Sequence, residues 1–189
     1  GLVGSEMCIR DSVYPVPAAL VTCGDSVRDN LLTVAWTGTI CTNPAMLSVS
    51  IRPERYSYGI IKERMQFTLN LTTAAMTRAT DLCGVKSGAE CDKWELSGLH
   101  RYPGVAVACP AVAESPISIE CRVKSIMPLG SHDMFIAEVV NVLADEAYLD
   151  PVTGRFDLES AGLVSYSHGA YYAQGPKIGT FGFSVKKKK

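Results

Sequence analysis

The stretch Ile117-Ser118-Ile119-Glu120-Cys121-Arg122-Val123-Lys124 alternates apolar and polar residues without a break. Successive side chains on a strand point to opposite faces, so this period of two predicts a half-buried antiparallel strand, with Ile117, Ile119, Cys121 and Val123 on the core face and the charges in water. Residues 134–142 are apolar almost throughout, which predicts a strand covered on both faces, and Pro128-Leu129-Gly130-Ser131 supplies a turn that makes the two a long hairpin. Further strands are expected at 18–23, 31–36, 46–52 and 67–71, with Gly24-Asp25 and Asn43-Pro44 marking turns. Helices are expected over 58–64 behind Ser57 as N-cap, over 74–82 behind Thr72 or Thr73 and stopped by Gly84, and, as a short third, through 92–97. Many short strands with few short helices favour a closed or split β-barrel over a doubly wound sheet, whose regular β–α alternation is absent.

With 189 residues, 47% hydrophobic and 20% charged, the chain can fill one core and is read as one domain over residues 13–185. Residues 1–12 are set aside, because Met7-Cys8-Ile9-Arg10-Asp11-Ser12 resembles a translated transposase mosaic end, the adaptor of sequencing libraries. Lys186 to Lys189 are expected to be a solvated basic tail. No apolar run approaches the roughly 20 residues of a membrane-spanning helix, and a formal charge of −1 gives no general attraction for nucleic acid or anionic lipid. Six of the seven cysteines lie beyond the leader, with neither a CxxC pair nor a Cys/His cluster at metal spacing. They read as small hydrophobes in a reducing, cytoplasmic setting, and no metal site is expected.

Two stretches carry possible chemistry. In Arg52-Pro53-Glu54-Arg55-Tyr56-Ser57, two guanidiniums and two hydroxyls converge on a helix start whose amides are unsatisfied, a combination suited to a phosphate. On charge pattern alone, two surface arginines beside a cap have the better claim. In Leu32-Thr33-Val34-Ala35-Trp36-Thr37-Gly38-Thr39-Ile40, the small residues Ala35, Thr37, Gly38 and Thr39 offer a surface on which a flat ring could lie against main chain. An ordinary strand with a glycine bulge explains it equally.

From Val13 to about Val185 the chain resembles the flavin reductase-like, FMN-binding split-barrel family, and within it the flavoredoxin group. The stretches that carry the resemblance are YPVPAALVTCGD, LLTVAWTGTICTNPAMLSVSIRPERYSYGIIKE, FTLNL, LCGVKSGAECDKW and GTFGFS. It implies a mainly β, Greek-key split barrel with a few short helices, working as a homodimer, with FMN bound noncovalently near the dimer interface. On this sequence, main chain of Thr33, Val34, Ala35, Trp36, Thr37, Gly38 and Thr39 would cradle the isoalloxazine. Arg52, Arg55, Tyr56 and Ser57 would hold the phosphate end, and Asn70 and Thr72 would border the same pocket. Relatives commonly read Asn-Leu-Pro where this chain has Asn70-Leu71-Thr72. Lys93, in Asp92-Lys93-Trp94, would reach the phosphate or the flavin edge, unless it is a solvated helix lysine. His132 resembles the histidine of a Gly-Asp-His element near flavin and nicotinamide, with Ser131 in place of the aspartate. Tyr171 and Tyr172 could lid the flavin or pack an interface. His100 and His168 have no partner at metal spacing.

No GxGxxG, P-loop, GxSxG or HExxH motif is present, so no dinucleotide site of the Rossmann kind and no hydrolytic nucleophile is legible. The expectation is an oxidoreductase in which NADH or NADPH passes hydride directly to flavin N5, with the protein orienting the ring and no side chain acting as acid or base. A flavoredoxin-like electron carrier without its own NAD(P)H site is the alternative. A redox partner protein or a flavin-dependent oxygenase would then take the electrons.

Overall fold

Strand periodicity resolves into one dominant antiparallel sheet in the computed structural model, whose described residues are 12–185. All but Ser12 of the 1–12 segment read as adaptor, and the 186–189 tail, lie outside the described residues. In chain order the strands are β1 (Val16–Pro17), β2 (Ala19–Gly24), β3 (Asp29–Val34), β4 (Thr37–Thr42), β5 (Ala45–Ile51), β6 (Gln66–Leu71), β7 (Arg101–Tyr102), β8 (Ala111–Val112), β9 (Ile117–Pro128), β10 (Asp133–Ala144), β11 (Val164–Ser167) and β12 (Ala170–Ala173). Helix α1 spans Tyr56–Arg64, α2 Thr77–Val85 and α3 Lys93–Ser97.

Seven strands pair in the order β3-β2-β6-β9-β10-β5-β4. β3 and β4 stand at opposite ends of this order, yet Val34 and Thr37 are separated in the chain by Ala35 and Trp36 alone. Two residues span only about 7 Å, so the sheet must curl until its two edges meet. A main-chain bond from Ser50 N to Trp36 O, 2.9 Å, sits at that meeting point. The result is the expected split barrel. A smaller sheet, β1-β11-β12, pairs the first strand with the penultimate one.

Val21, Val49, Phe67, Cys121 and Phe135 fill the barrel, and α1 lays Ile60 and Ile61 against them. On the other side of β2 and β3, Leu20 and Leu31 pack with Met76, Cys83 and Trp94 of the α2–α3 layer. Each such side chain contributes roughly 1.5–3 kcal/mol, and covering β2 on both faces explains why every residue of that strand is buried.

Several local expectations change. The 117–124 segment is not simply half-buried: Ser118 and Glu120 are buried as well, and the Glu120 carboxylate accepts from Val105 N (2.6 Å), Ala106 N (2.9 Å) and Asn141 Nδ2 (2.7 Å). The loop crossing that face supplies the donors that a buried carboxylate requires. Conversely, β10 is less covered than its apolar run predicts. Phe135 and Ala137 are buried, while Ile136, Val139 and Val140 stay partly exposed and Val142 is exposed. Ser57 does not cap α1. Arg55 occupies the N-cap position without a side-chain bond, and Ser57 lies inside the first turn, buried, where its Oγ accepts from Asn30 Nδ2 at 2.8 Å. The second helix opens as a single 3-10 turn, Ala74–Met76, with Thr73 preceding it and making no side-chain cap bond. It also continues through Gly84 to Val85, because Gly84 sits against Thr33, where an added Cβ would come within 3.3 Å of the Thr33 Cβ. Of the six cysteines beyond the leader, Cys23, Cys83, Cys109 and Cys121 are buried and Cys41 and Cys91 partly so, and burial pushes the Cys23 and Cys121 thiols up to about 12.

Candidate functional site

The barrel seam opens a cleft of about 370 Å3, walled by Leu32, Thr33, Val34, Ala35 and Trp36 from the end of β3, by Ser50 and Ile51 from β5, and by Tyr14, Tyr166 and His132. Its rings come from distant parts of the chain. Trp36 and His132 lie 4.5 Å apart between centroids, and Tyr14 stacks near His168 at 4.3 Å and Tyr166 at 6.4 Å. Burial, with the Arg52 charge assisting, holds the His132 imidazole below its usual pKa of 6.5, which favours the neutral ring.

A second cleft of about 340 Å3 adjoins the first and shares Leu32, Arg52 and Arg55 with it. Its lining carries the cations Arg52, Arg55, Lys86 and Lys93 against the single carboxylate of Glu54, together with Tyr56, Ser57, Asn30 and the loop residues Ser87 and Gly88. Arg52 pairs loosely with Glu54 at 3.5 Å, and Arg55 Nη1 donates to Gly84 O at 3.4 Å. Tyr56 takes a bond from Arg28 Nε at 3.2 Å and lies under that guanidinium. Gly88 is required where it stands, because a Cβ there would fall 2.3 Å from Asn30 Oδ1.

Lys93 is not a solvated lysine. It is 3% exposed, and its Nζ donates to Leu31 O (3.0 Å) and Cys83 O (2.7 Å). Burial lowers its pKa, with the Cys83 and Cys91 thiols opposing and Arg55 adding to the shift. No carboxylate among the described residues pairs with it. The donor set therefore fits a flat ring joined to an anion. Neutral aromatic and main-chain walls meet a compartment with excess positive charge; Arg52 and Arg55 stand at the junction, and the buried Lys93 lines the charged side.

Of the expected site residues, Thr33, Val34, Ala35, Trp36, Arg52, Arg55, Tyr56, Ser57, Lys93 and His132 line the paired clefts. Thr37, Gly38 and Thr39 continue into β4 and line neither. Nor do Asn70 and Thr72. The Asn70 amide is buried, donating to Leu20 O (2.9 Å) and accepting from Val112 N (2.9 Å) and Ser118 Oγ (2.7 Å), and the Thr72 hydroxyl donates to Ala18 O at 2.6 Å. These two residues tie strands together beneath the site. Tyr171 donates to Asp81 at 3.2 Å instead of lining the seam, and Tyr172 is exposed. Residues that the sequence reading missed are Tyr14, Asn30, Ser50, Ile51, Lys86, Ser87, Gly88 and Tyr166. A Lys-Ser-Gly turn after a helix was a usable signal for three of them.

Known proteins are similar to this chain in sequence and in fold. The flavoredoxin of Desulfovibrio vulgaris (Miyazaki F) superposes with a TM-score of 0.87 at 32% identity, covering 97% of this chain and 100% of that one. The NADPH-flavin oxidoreductase of Streptomyces viridifaciens is 26% identical over 129 residues, 67% of this chain and 66% of that protein. The FMN reductase (NADH) RutF of Enterobacter cloacae subsp. cloacae is 22% identical over 145 residues, 75% and 85% of the two chains. The family model for the flavin reductase like domain matches residues 10–172, a span that includes the whole seam and every residue of the cationic compartment. Sequence, split-barrel fold and family match thus agree, and the chain belongs to the flavin reductase like domain family.

Proposed function

We propose that the paired clefts hold FMN and that the protein is a redox flavoprotein, an NAD(P)H-dependent flavin or flavoprotein reductase. The observation that carries this reading is the junction at Arg52 and Arg55, where a neutral, aromatic-walled seam meets a compartment with four cations. Thr33 to Trp36 would seat the ring with main-chain groups, Arg52, Arg55 and Ser57 would hold the phosphate, and the seam walls would exclude water from the ring. Bound there, FMN supplies N5 as the hydride-accepting centre for NADH or NADPH. His132, whose ring lies tilted against Trp36, would border the face from which a nicotinamide would approach.

A flavoredoxin-like carrier without its own NAD(P)H site is the second reading. It is favoured by Ser131 beside His132, whose Oγ lies 3.0 Å from Nδ1, where relatives with a nicotinamide site have an acid. The protein would act as a homodimer, since the partly exposed apolar face of β10, with Met127 and Leu129 exposed on the adjoining hairpin, suits a second copy. Six free thiols among the described residues fit a reducing, cytoplasmic compartment.

The purified protein should be yellow and dimeric and should bind FMN in preference to FAD. Anaerobic stopped-flow mixing of the FMN-loaded protein with NADH and with NADPH decides between the two readings. Rapid bleaching of the flavin band means reductase, and its absence with a dithionite-reducible flavin means carrier. A colourless protein that does not quench added FMN sinks both.

A further inference from the structure

Three side chains of the paired clefts end on one turn of one helix. Thr33 Oγ1 donates to Thr80 O at 2.5 Å, Lys93 Nζ to Cys83 O at 2.7 Å and Arg55 Nη1 to Gly84 O at 3.4 Å. A helix leaves its last carbonyls without intrahelical donors and carries partial negative charge there. In α2 the backbone N–H of Lys86 closes on Leu82 O, so the next two carbonyls are taken by cationic side chains. This compensation explains how an ammonium remains buried without a carboxylate.

Lys93 does more than cap. The same Nζ donates to Leu31 O of β3 at 3.0 Å, and Leu32 to Trp36, the next residues along that strand, wall the seam. Gly84 and Thr33 are in near contact, so β3 and α2 meet without slack. Lys93 therefore bridges the strand that forms the ring seat and the helix turn on which Arg55 rests, and two of its three N–H groups are engaged by main chain.

We infer that Lys93 is a positioning residue for the ring compartment, acting through the carbonyls of Leu31 and Cys83, and that it is not a ligand of the phosphate. The inference rests on the reading of the clefts as an FMN site. The two roles separate cleanly. A phosphate ligand matters to FMN and not to riboflavin, whereas a residue that sets the ring seat matters equally to both.

Lys93→Met keeps the stem and removes the donors. FMN and riboflavin are titrated by flavin fluorescence quenching into wild type, Lys93→Met and Arg55→Ala, with the visible circular dichroism of bound riboflavin as a report on the ring seat. Lys93→Met should weaken both ligands by about tenfold, leave their affinity ratio within about twofold of wild type, and alter the dichroism. The thermal midpoint of the flavin-free protein should fall only modestly, because Lys93→Met takes a donor from the Leu31 and Cys83 carbonyls but also removes a buried charge. Arg55→Ala should change the ratio and leave the riboflavin dichroism alone. Loss of FMN binding alone in Lys93→Met overturns the inference in favour of a phosphate contact, and unchanged binding of both flavins overturns it too. Should Lys93→Met fail to fold, Thr33→Val, which removes the parallel link to Thr80, decides: weakening of both flavins supports the ring-seat arrangement, and no weakening overturns it. Wild type that binds neither flavin defeats the underlying site reading, and the inference falls with it.

Discussion

At the seam, the cleft is walled by main chain and by neutral rings drawn from residues 14, 36, 132 and 166; in the adjoining compartment it is walled by charged and polar side chains, most of them from two short runs, 52–57 and 86–93. The first end exists only because the two edges of a seven-stranded sheet meet there. The second is close to a local structure, a helix start facing a loop. If the clefts hold FMN as proposed, recognition of the ring and of the phosphate is held by different levels of the fold within one groove, and the two should respond to mutation separately.

The largest expected break in that comparison is at the charged end. Arg55→Ala removes charge-assisted hydrogen bonds worth about 1.5–3 kcal/mol, which is roughly ten- to a hundredfold in FMN affinity, while riboflavin binding should stay within about twofold. Arg52→Ala should fall at the lower end of that range, because Arg52 is half-exposed and already leans on Glu54. Parallel titrations of both flavins measure this, and equal weakening of both would mean that the arginines support the fold and not the phosphate.

Gly88→Ala tests the same end through backbone space. The new methyl must displace the Asn30 amide from Ser57, and loss of one such bond corresponds to about fivefold weaker FMN binding. An unchanged FMN affinity would show that the Asn30–Ser57 pair plays no part in the anion compartment. At the seam, Trp36→Leu removes the ring packed against His132 and should weaken FMN and riboflavin alike, by about threefold. A loss confined to FMN would erase the division between the two ends.

The smallest effect concerns acid. The folded pKa of His132 lies below its unfolded value of 6.5, so between the two the unfolded chain binds more protons. Stability attributable to this group is therefore present above 6.5 and is lost as pH falls through that window. Thermal midpoints of wild type should decline on acidification from pH 7 more steeply than those of His132→Gln, and parallel curves would show that the histidine is not held neutral at the seam.

Much of this architecture is legible in single segments. The alternating 117–124 run, the 128–131 turn and the runs at 18–23, 46–52 and 67–71 all appear as strands or turns within a few residues of expectation, because a period of two is a property of the backbone and needs no partner to be read. Arg52, Arg55, Ser57 and Lys93 are legible as residue types. What Ser57 and Lys93 do is not. Ser57 reads as a cap and is a buried acceptor for Asn30, and Lys93 reads as a solvated lysine or a ligand and is a bridge between two carbonyls. Glu120 likewise reads as solvent-facing until a loop 14 or 15 residues away in sequence covers it.

By itself the sequence determined the strand-rich class, the family and the residue types of the anion end, since each depends on local order along the chain. The tertiary structure alone decided where the sheet closes, which rings wall the seam, that Asn70 and Thr72 tie strands instead of lining the cleft, and which charges are buried. Those outcomes depend on pairings across dozens of residues, and burial becomes defined only when the elements that exclude water have met.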